Sequence, residues 1–314
     1  MEITLQGIQL GGFEVRFYSL AILAGLFAGI ALAHREARRL GENPDHVLNI
    51  AAFGAFFGIV GARLYHVFDQ QEWPRYRDDP AAIFAVWNGG IGIFGAIVGA
   101  VAALLLYMYF TAQMRPVGSA AVSLPVLARR RPPLNALRWL DIGAPAFLLG
   151  QAIGRWGNFF NQELFGKPTG LPWGISIPFE QVSAEAPDYV AAYLEGATRF
   201  HPLFLYESLL NLLGVVVLLF VARRFAYRLR RGDVLLMYLM WYPAVRFSLE
   251  FLRTNPWEQG GVPMAQIISV LLFAGALAVL VWRHRRPAPP EEEGDAPAEA
   301  RSRAAQRRRR RRDA

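Results

Sequence analysis

Apolar runs long enough to cross a lipid bilayer recur along this chain, and they restrict its fold more than any other feature. A span needs about 20 residues. Seven runs approach that length, near 17–33, 47–68, 90–110, 139–156, 202–221, 234–251 and 264–282. The expected fold is an all-α polytopic membrane protein with seven transmembrane helices, a small extracytoplasmic head and a disordered C-terminal tail. Residues 1–286 form the membrane domain, with 158–201 as the head segment, and 287–314 form the tail. The third span is expected to begin as a broken or re-entrant piece, because Trp87–Gly95 (WNGGIGIFG) is rich in glycine. Such backbone is tolerated at membrane depth only against protein or a wet cavity.

Arginine placement orients these spans. The segments 34–46, 111–138, 222–233 and 283–314 hold 24 of the 33 basic residues, against six in the alternate segments. The positive-inside rule therefore puts the N-terminus outside and the C-terminus in the cytoplasm. The first span is not a cleaved signal peptide: Arg35, Arg38 and Arg39 follow its apolar run instead of preceding it. The expected location is a membrane, which the chain crosses several times.

Against that apolar background, Gly154–Gly166 (GRWGNFFNQELFG) sets an arginine, two asparagines, a glutamine and a glutamate at the end of a membrane-buried run. An ionisable group there costs about 2.5–3.5 kcal/mol on insertion scales, which makes the segment a functional-site candidate. The competing reading has Arg155 snorkelling to the interface or pairing with Glu163. Further polar groups fall on the outer half of the membrane. His201 precedes the fifth span, and Tyr206 and Glu207 sit one turn inside it. Arg246, Glu250 and Arg253 follow one another at i, i+4 and i+7 near the end of the sixth. This ladder serves equally as a structural ion-pair network or as a phosphate site. Arg63, Tyr65 and His66 lie toward the outer end of the second span, and Tyr18 at the outer start of the first.

Several chemistries are excluded. The chain has no cysteine, so it holds neither a disulfide, a zinc thiolate nor a catalytic thiol. Its five histidines lack paired metal-ligand spacing, and no GxxxxGK[ST] loop occurs. Neither a metal nor a cofactor is expected. The run Arg307–Arg312 ends a Pro-, Ala- and Glu-rich segment that cannot form a core. It reads as a topogenic or lipid-touching tail, and no nucleic-acid partner is expected. What remains is a set of guanidiniums with carboxylates and amides at the outer boundary. Guanidinium grips phosphate through two parallel charge-assisted bonds, and a phosphate entering from the bilayer belongs to a phospholipid. The residues thus point to an enzyme or carrier acting on a phospholipid headgroup.

Gly154–Gly166 also resembles the signature GRxGNFxNxExxG of the prolipoprotein diacylglyceryl transferases. Supporting stretches are FYSLAIL at 17–23, GARLYHVF at 61–68, WNGG at 87–90, HPLFLYE at 201–207, RFSLEFLR at 246–253 and AQIIS at 265–269. The resemblance implies transfer of the diacylglyceryl group of phosphatidylglycerol to the lipobox cysteine thiol of a secreted prolipoprotein, releasing glycerol phosphate. The partners it implies are that lipid, the precursor's signal peptide and the membrane, for a protein expected to be monomeric. By resemblance Arg155 and Arg246 hold the lipid phosphate and stabilise charge in the transition state. Asn158, Asn161 and Glu163 fix the headgroup and orient Arg155, and Tyr18 and Glu207 complete the expected substrate-binding set.

The base that activates the thiol stays open. Family members often carry a histidine in a WDGGxSFHGG-like motif, where this chain reads WNGGIGIFGA with Phe94 at that position. His201 and Glu250 are the remaining candidates, with His66 weaker. A transporter would show repeated halves, and none is found. A scaffold would not need both Arg155 and Arg246. Glycine pairs at Gly25/Gly29, Gly54/Gly58 and Gly95/Gly99 have the spacing that permits close helix approach. The outer segment Leu171–Phe179 alternates loosely and is expected to form short strands.

Overall fold

A computed structural model describes residues 2–11, 13–69, 72–86, 89–90, 92–116, 123–129 and 133–287. The tail with its arginine run therefore lies outside the described residues, apart from residue 287. Trp87 and Asn88 lie outside them too, as do 117–122 and 130–132 of the stretch Arg115–Pro133, whose low complexity leads to the expectation of a cytoplasmic loop insertion.

Helices dominate the structure. They are α1 (Phe17–Arg39), α2 (Asp45–Val67), α3 (Trp73–Asp78), α4 (Ile93–Tyr109), α5 (Ala136–Asn161), α6 (Phe179–Glu185), α7 (Val190–Leu194), α8 (Leu203–Arg224), α9 (Asp233–Glu250) and α10 (Met264–Arg285). The seven longest described helices coincide one for one with the seven apolar runs. Four of them, α1, α2, α8 and α10, are long and apolar enough to cross a membrane. Helix α4 is apolar but shorter. Helices α5 and α9 have the length, about 39 and 27 Å at 1.5 Å per residue. Their apolar runs are interrupted by Asp141 and Arg155 in one, and by Asp233, Arg246 and Glu250 in the other.

Strands are short and local. An antiparallel meander of β1 (Glu2–Ile3), β2 (Gly7–Leu10) and β3 (Phe13–Arg16) precedes α1. Strands β4 (Phe110–Pro116) and β5 (Ser123–Arg129) pair, β5 lying within the expected insertion Arg115–Pro133 and β4 mostly ahead of it. Strand β6 (Ile175–Ser176) pairs with β7 (Arg199–Phe200), and β8 (Glu258–Gln259) with β9 (Val262–Pro263). The alternating segment Leu171–Phe179 thus yields only β6.

The chain divides into two compact units, one of residues 34–139 and one of the residues before and after that stretch. Within the 34–139 unit, α2 and α4 meet backbone to backbone. A Cβ on Gly61 would strike the carbonyl of Gly95, one on Gly95 that of Gly61, and one on Gly99 that of Phe57. Gly58 makes ordinary contact, whereas Gly54 faces open space, so Gly61 takes the role expected of Gly54. Arg63 is buried and spends its guanidinium on the turn ahead of α4. Its Nε donates to Ile83 O at 2.9 Å, and its Nη1 to Gly89 O at 2.6 Å and Gly90 O at 2.9 Å. Those two glycines are left-handed, with φ of 80° and 74°. The irregular entry expected here is present, and an arginine satisfies its carbonyls.

In the other unit α1 lies against α5, where a Cβ on Gly25 would stand 2.7 Å from Gly150 O. Ala144 and Leu148 of α5, Val215 and Leu218 of α8 and Val234 of α9 share a buried core. Asp141 of α5 caps the start of α9, accepting the N–H groups of Gly232 at 2.6 Å and Leu235 at 2.9 Å. Fully buried Asp233 accepts from Arg283 at 3.2 Å and His284 at 2.7 Å on α10. Arg230 and Arg283, counted above among the orienting arginines, therefore also join α9 to α10 through main-chain carbonyls. Between α5 and α8, Phe165, Ile177, Val182, Ala186 and Phe200 form a small separate core.

Gly61→Val should lower thermal stability in detergent by about 1–3 kcal/mol, the usual cost of overpacking a tight contact. Gly54→Ala, which meets nothing, should stay within about 0.5 kcal/mol of the parent.

Candidate functional site

The arginine–asparagine segment is helical to Asn161, so α5 runs several residues past the apolar run that announces it. Arg155 and Asn158 therefore sit three residues apart on one helix face, and Arg155 Nη1 donates to Asn158 Oδ1 at 3.3 Å. Helix α5 then stops in an unusual way. Gln162 and Leu164 both have φ of 54°, a left-handed conformation that costs a non-glycine residue about 1–2 kcal/mol. The Glu163 N–H bonds back to Asn158 O at 3.0 Å, a six-to-one closure of the Schellman kind. This turn brings Glu163 beside the helix it has just left, and Asn158 Nδ2 donates to Glu163 Oε1 at 2.8 Å. The asparagine amide thus works as an adapter, accepting from the guanidinium and donating to the carboxylate.

The strip after the turn is stitched on both sides. The Gly166 N–H donates to His201 O at 2.9 Å and the Lys167 N–H to Leu252 O at 2.8 Å. It thereby lies between the entry to α8 and the exit from α9, and carries both toward the end of α5.

Helix α8 supplies the direct partner of Arg155. Glu207, buried, places Oε1 at 2.7 Å from Arg155 Nη2. The partner is thus Glu207, on another helix, and Glu163 is reached only through Asn158. Tyr242 of α9 also faces this guanidinium. It lies one turn from Arg246 on the same helix, so the helical spacing used for Arg246 and Glu250, extended inward, would have found it.

Helix α9 contributes the second group. Arg246 Nη1 lies 2.7 Å from Glu250 Oε2, and Arg253 Nη1 lies 3.9 Å from the same oxygen. The Trp257 N–H donates to Glu250 Oε1 at 3.1 Å. Helix α9 ends at Glu250, so Arg253 joins through the following turn and not through the continuous helix face expected from its spacing. Burial, followed by the charge of Arg246, lowers the proton affinity of Arg253, which also senses Arg155 and Glu207. Three guanidiniums and two buried carboxylates therefore share one electrostatic neighbourhood. The arginine side chains keep 25%, 22% and 17% of their surface for Arg155, Arg246 and Arg253, whereas Glu250 keeps 2%. The carboxylates are thus more deeply buried than the arginines that face them.

His201 stands at the start of α8. Its Nδ1 is 3.2 Å from Tyr206 Oη, which also accepts from Trp173 Nε1 at 2.8 Å. Asn161 and Glu163 line a polar cleft with Gln6, Arg16, Gln181 and Glu185. Tyr18 packs on Gly157 of α5, where a Cβ would come within 2.9 Å of its ring. Within the 34–139 unit, His66 faces Glu72 at 3.7 Å, and Phe94 lies half exposed beside Tyr65.

Residues 6–282 match the family model described as prolipoprotein diacylglyceryl transferase. The chain is similar to proteins named phosphatidylglycerol–prolipoprotein diacylglyceryl transferase in several bacteria. Identity is 36% with that of Chloroflexus aggregans, over 91% of this chain and 90% of the relative. It is 38% with that of Gloeobacter violaceus, over 90% and 94%, and 37% with that of Synechococcus elongatus, over 88% and 86%.

Glu250→Ala should leave two guanidiniums without their shared counter-ion. Breaking a fully buried pair costs about 3–5 kcal/mol, and because these arginines are partly exposed a loss of about 2 kcal/mol is expected. Thermal unfolding in detergent reads it directly.

Proposed function

The chain belongs to the prolipoprotein diacylglyceryl transferase family, and from that premise we propose that it moves the diacylglyceryl group of phosphatidylglycerol onto the lipobox cysteine thiol of secreted prolipoproteins. This is the first step of bacterial lipoprotein maturation. The cysteine sulfur forms a bond to the glycerol carbon that carries the phosphate, the carbon–oxygen bond breaks, and glycerol phosphate leaves with the electron pair. The thiol proton passes to a base. A sulfur reaction run by a chain without cysteine is consistent with the substrate supplying the sulfur.

The observation that carries this reading is the guanidinium cluster, anchored from below and exposed above. A guanidinium has five N–H donors. Glu207 and Asn158 face two of the nitrogens of Arg155, and Glu250 faces one of Arg246. Further donors remain to meet phosphate oxygens in the forked geometry that guanidinium favours. Charge growing on the leaving oxygen is met by donors already in place, the arrangement that stabilises transition states most efficiently. Asn158 and Glu163 fix the rotation of Arg155, Asn161 and Tyr18 border the headgroup, and Glu207 and Glu250 hold the arginines in position.

As the base, His201 fits better than Glu250, whose oxygens already meet the Trp257 N–H and the Arg246 guanidinium. With its proton on Nδ1, donated to Tyr206, His201 presents Nε2 as acceptor. A cysteine thiol with pKa near 8.5 needs such help at neutral pH.

In the membrane, all seven long helices span, with the N-terminus outside and the C-terminus in the cytoplasm, as the arginine distribution supports. Residues 1–286 form the catalytic membrane domain, 158–201 its outer head, and the remainder a cytoplasmic tail. The protein acts as a monomer in the bacterial plasma membrane.

Purified protein incubated with phosphatidylglycerol and a lipobox peptide should raise the peptide mass by one diacylglyceryl group; an unchanged mass overturns the reading. Arg155→Lys should lower turnover about 100- to 1,000-fold, because a point charge cannot reproduce the fork. His201→Ala should lower turnover about 100- to 10,000-fold, and turnover near that of the parent would exclude it as the base.

A further inference from the structure

Beside the arginine cluster lies a second feature, which shares Asn161 and Glu163 with the site and adds four residues that the reaction as described does not use. A cleft of about 270 Å³ is lined by Gln6 in the turn between β1 and β2, Arg16 at the end of β3, Asn161 and Glu163 at the end of α5, and Gln181 and Glu185 on α6. Glu163 belongs to both places, since its Oε1 accepts from Asn158 in the chain that leads to Arg155. Whatever fills the cleft therefore abuts the reacting centre. Gln6, Arg16, Gln181 and Glu185 lie outside every motif that carries the family resemblance.

The lining sets the chemistry of the occupant. Three side-chain amides both donate and accept, two carboxylates accept, and one guanidinium donates. An acyl chain, or the apolar stretch of a signal peptide, would strand these groups without partners. Two parts of the reaction are water-soluble enough to suit the cleft: the glycerol phosphate head of the lipid and the polypeptide beyond its cysteine. Charge separates them. Arg16 is already paired with Glu14 at 3.3 Å, which leaves Glu163 and Glu185 to set the local sign. Two carboxylates repel the anionic phosphodiester of the lipid and attract N–H donors.

We infer that this cleft receives the main chain of the prolipoprotein immediately beyond its reacting cysteine, a role that rests on the transferase reading above. Amide and carboxylate groups grip peptide N–H and C=O groups without reading the side chains. The site can therefore accept precursors that differ from one another beyond the cysteine. Threaded past Glu163, the polypeptide would bring its thiol toward the arginine-bound lipid phosphate.

The test uses the full-length protein, phosphatidylglycerol and two lipobox peptides, one ending at the cysteine and one continuing several residues past it. The parent should show a KM about tenfold lower for the longer peptide, as expected from two hydrogen bonds of about 0.7 kcal/mol each. Gln181→Ala with Glu185→Gln should remove that advantage while leaving kcat and the KM for phosphatidylglycerol within about twofold of the parent. Glu185→Lys should create a preference for longer peptides bearing aspartate past the cysteine over those bearing lysine, a preference the parent lacks and that a merely structural disturbance would not produce. A rise in the KM for the lipid with the peptide KM unchanged would assign the cleft to the headgroup and overturn the inference. Equal KM values for both peptides in the parent would do the same. If the parent modified neither peptide, the transferase reading would fall and this inference with it.

Discussion

Burying guanidiniums among apolar helices is tolerable only where carboxylates meet them, and Glu207 and Glu250 do so at 2.7 Å. Each carboxylate is itself nearly solvent-free, so neither ion of either pair could be stripped away cheaply. The asymmetry of exposure matters as much as the pairing. With the acids more deeply buried than the partly exposed arginines, the cluster keeps its charges matched. This constraint accounts for the polar groups that interrupt the apolar runs of α5 and α9.

The helices that hold the cluster are fixed at both ends. At its start, α9 is capped by Asp141 and tied through Asp233 to Arg283 and His284. At its finish, the Leu252 carbonyl is bonded to Lys167, in the strip that follows the turn of α5. Arg246 and Arg155 therefore derive their relative placement from main-chain contacts as well as from side-chain packing. Side chains supported in this way from both the main chain and their neighbours keep a fixed orientation.

How much was legible in advance differs from residue to residue. The long helices were, because apolar runs of bilayer length have few other folds available. Arg155, Asn158 and Glu163 were, because they occupy one contiguous stretch. The pairing of Arg155 with Glu207 was not: it depends on which face of α8 turns toward α5, and α8 is apolar nearly all round. The meander before α1 escaped notice because strands of two to four residues leave no readable alternation. Arg63 looked like one more outward cation, yet its guanidinium is spent on carbonyls of a glycine turn. Gly54 showed the right spacing, but spacing says nothing about which face of a helix has a neighbour.

The left-handed pair Gln162 and Leu164 carries a consequence for how this protein could be altered. Glycine at either position would release the local strain, and a search for hardier variants would be drawn to it. The same substitution would free the corner that folds Glu163 back onto Asn158, so the adapter holding Arg155 would begin to wander. Endurance and fidelity thus pull against each other at two neighbouring positions, neither of which carries a charge.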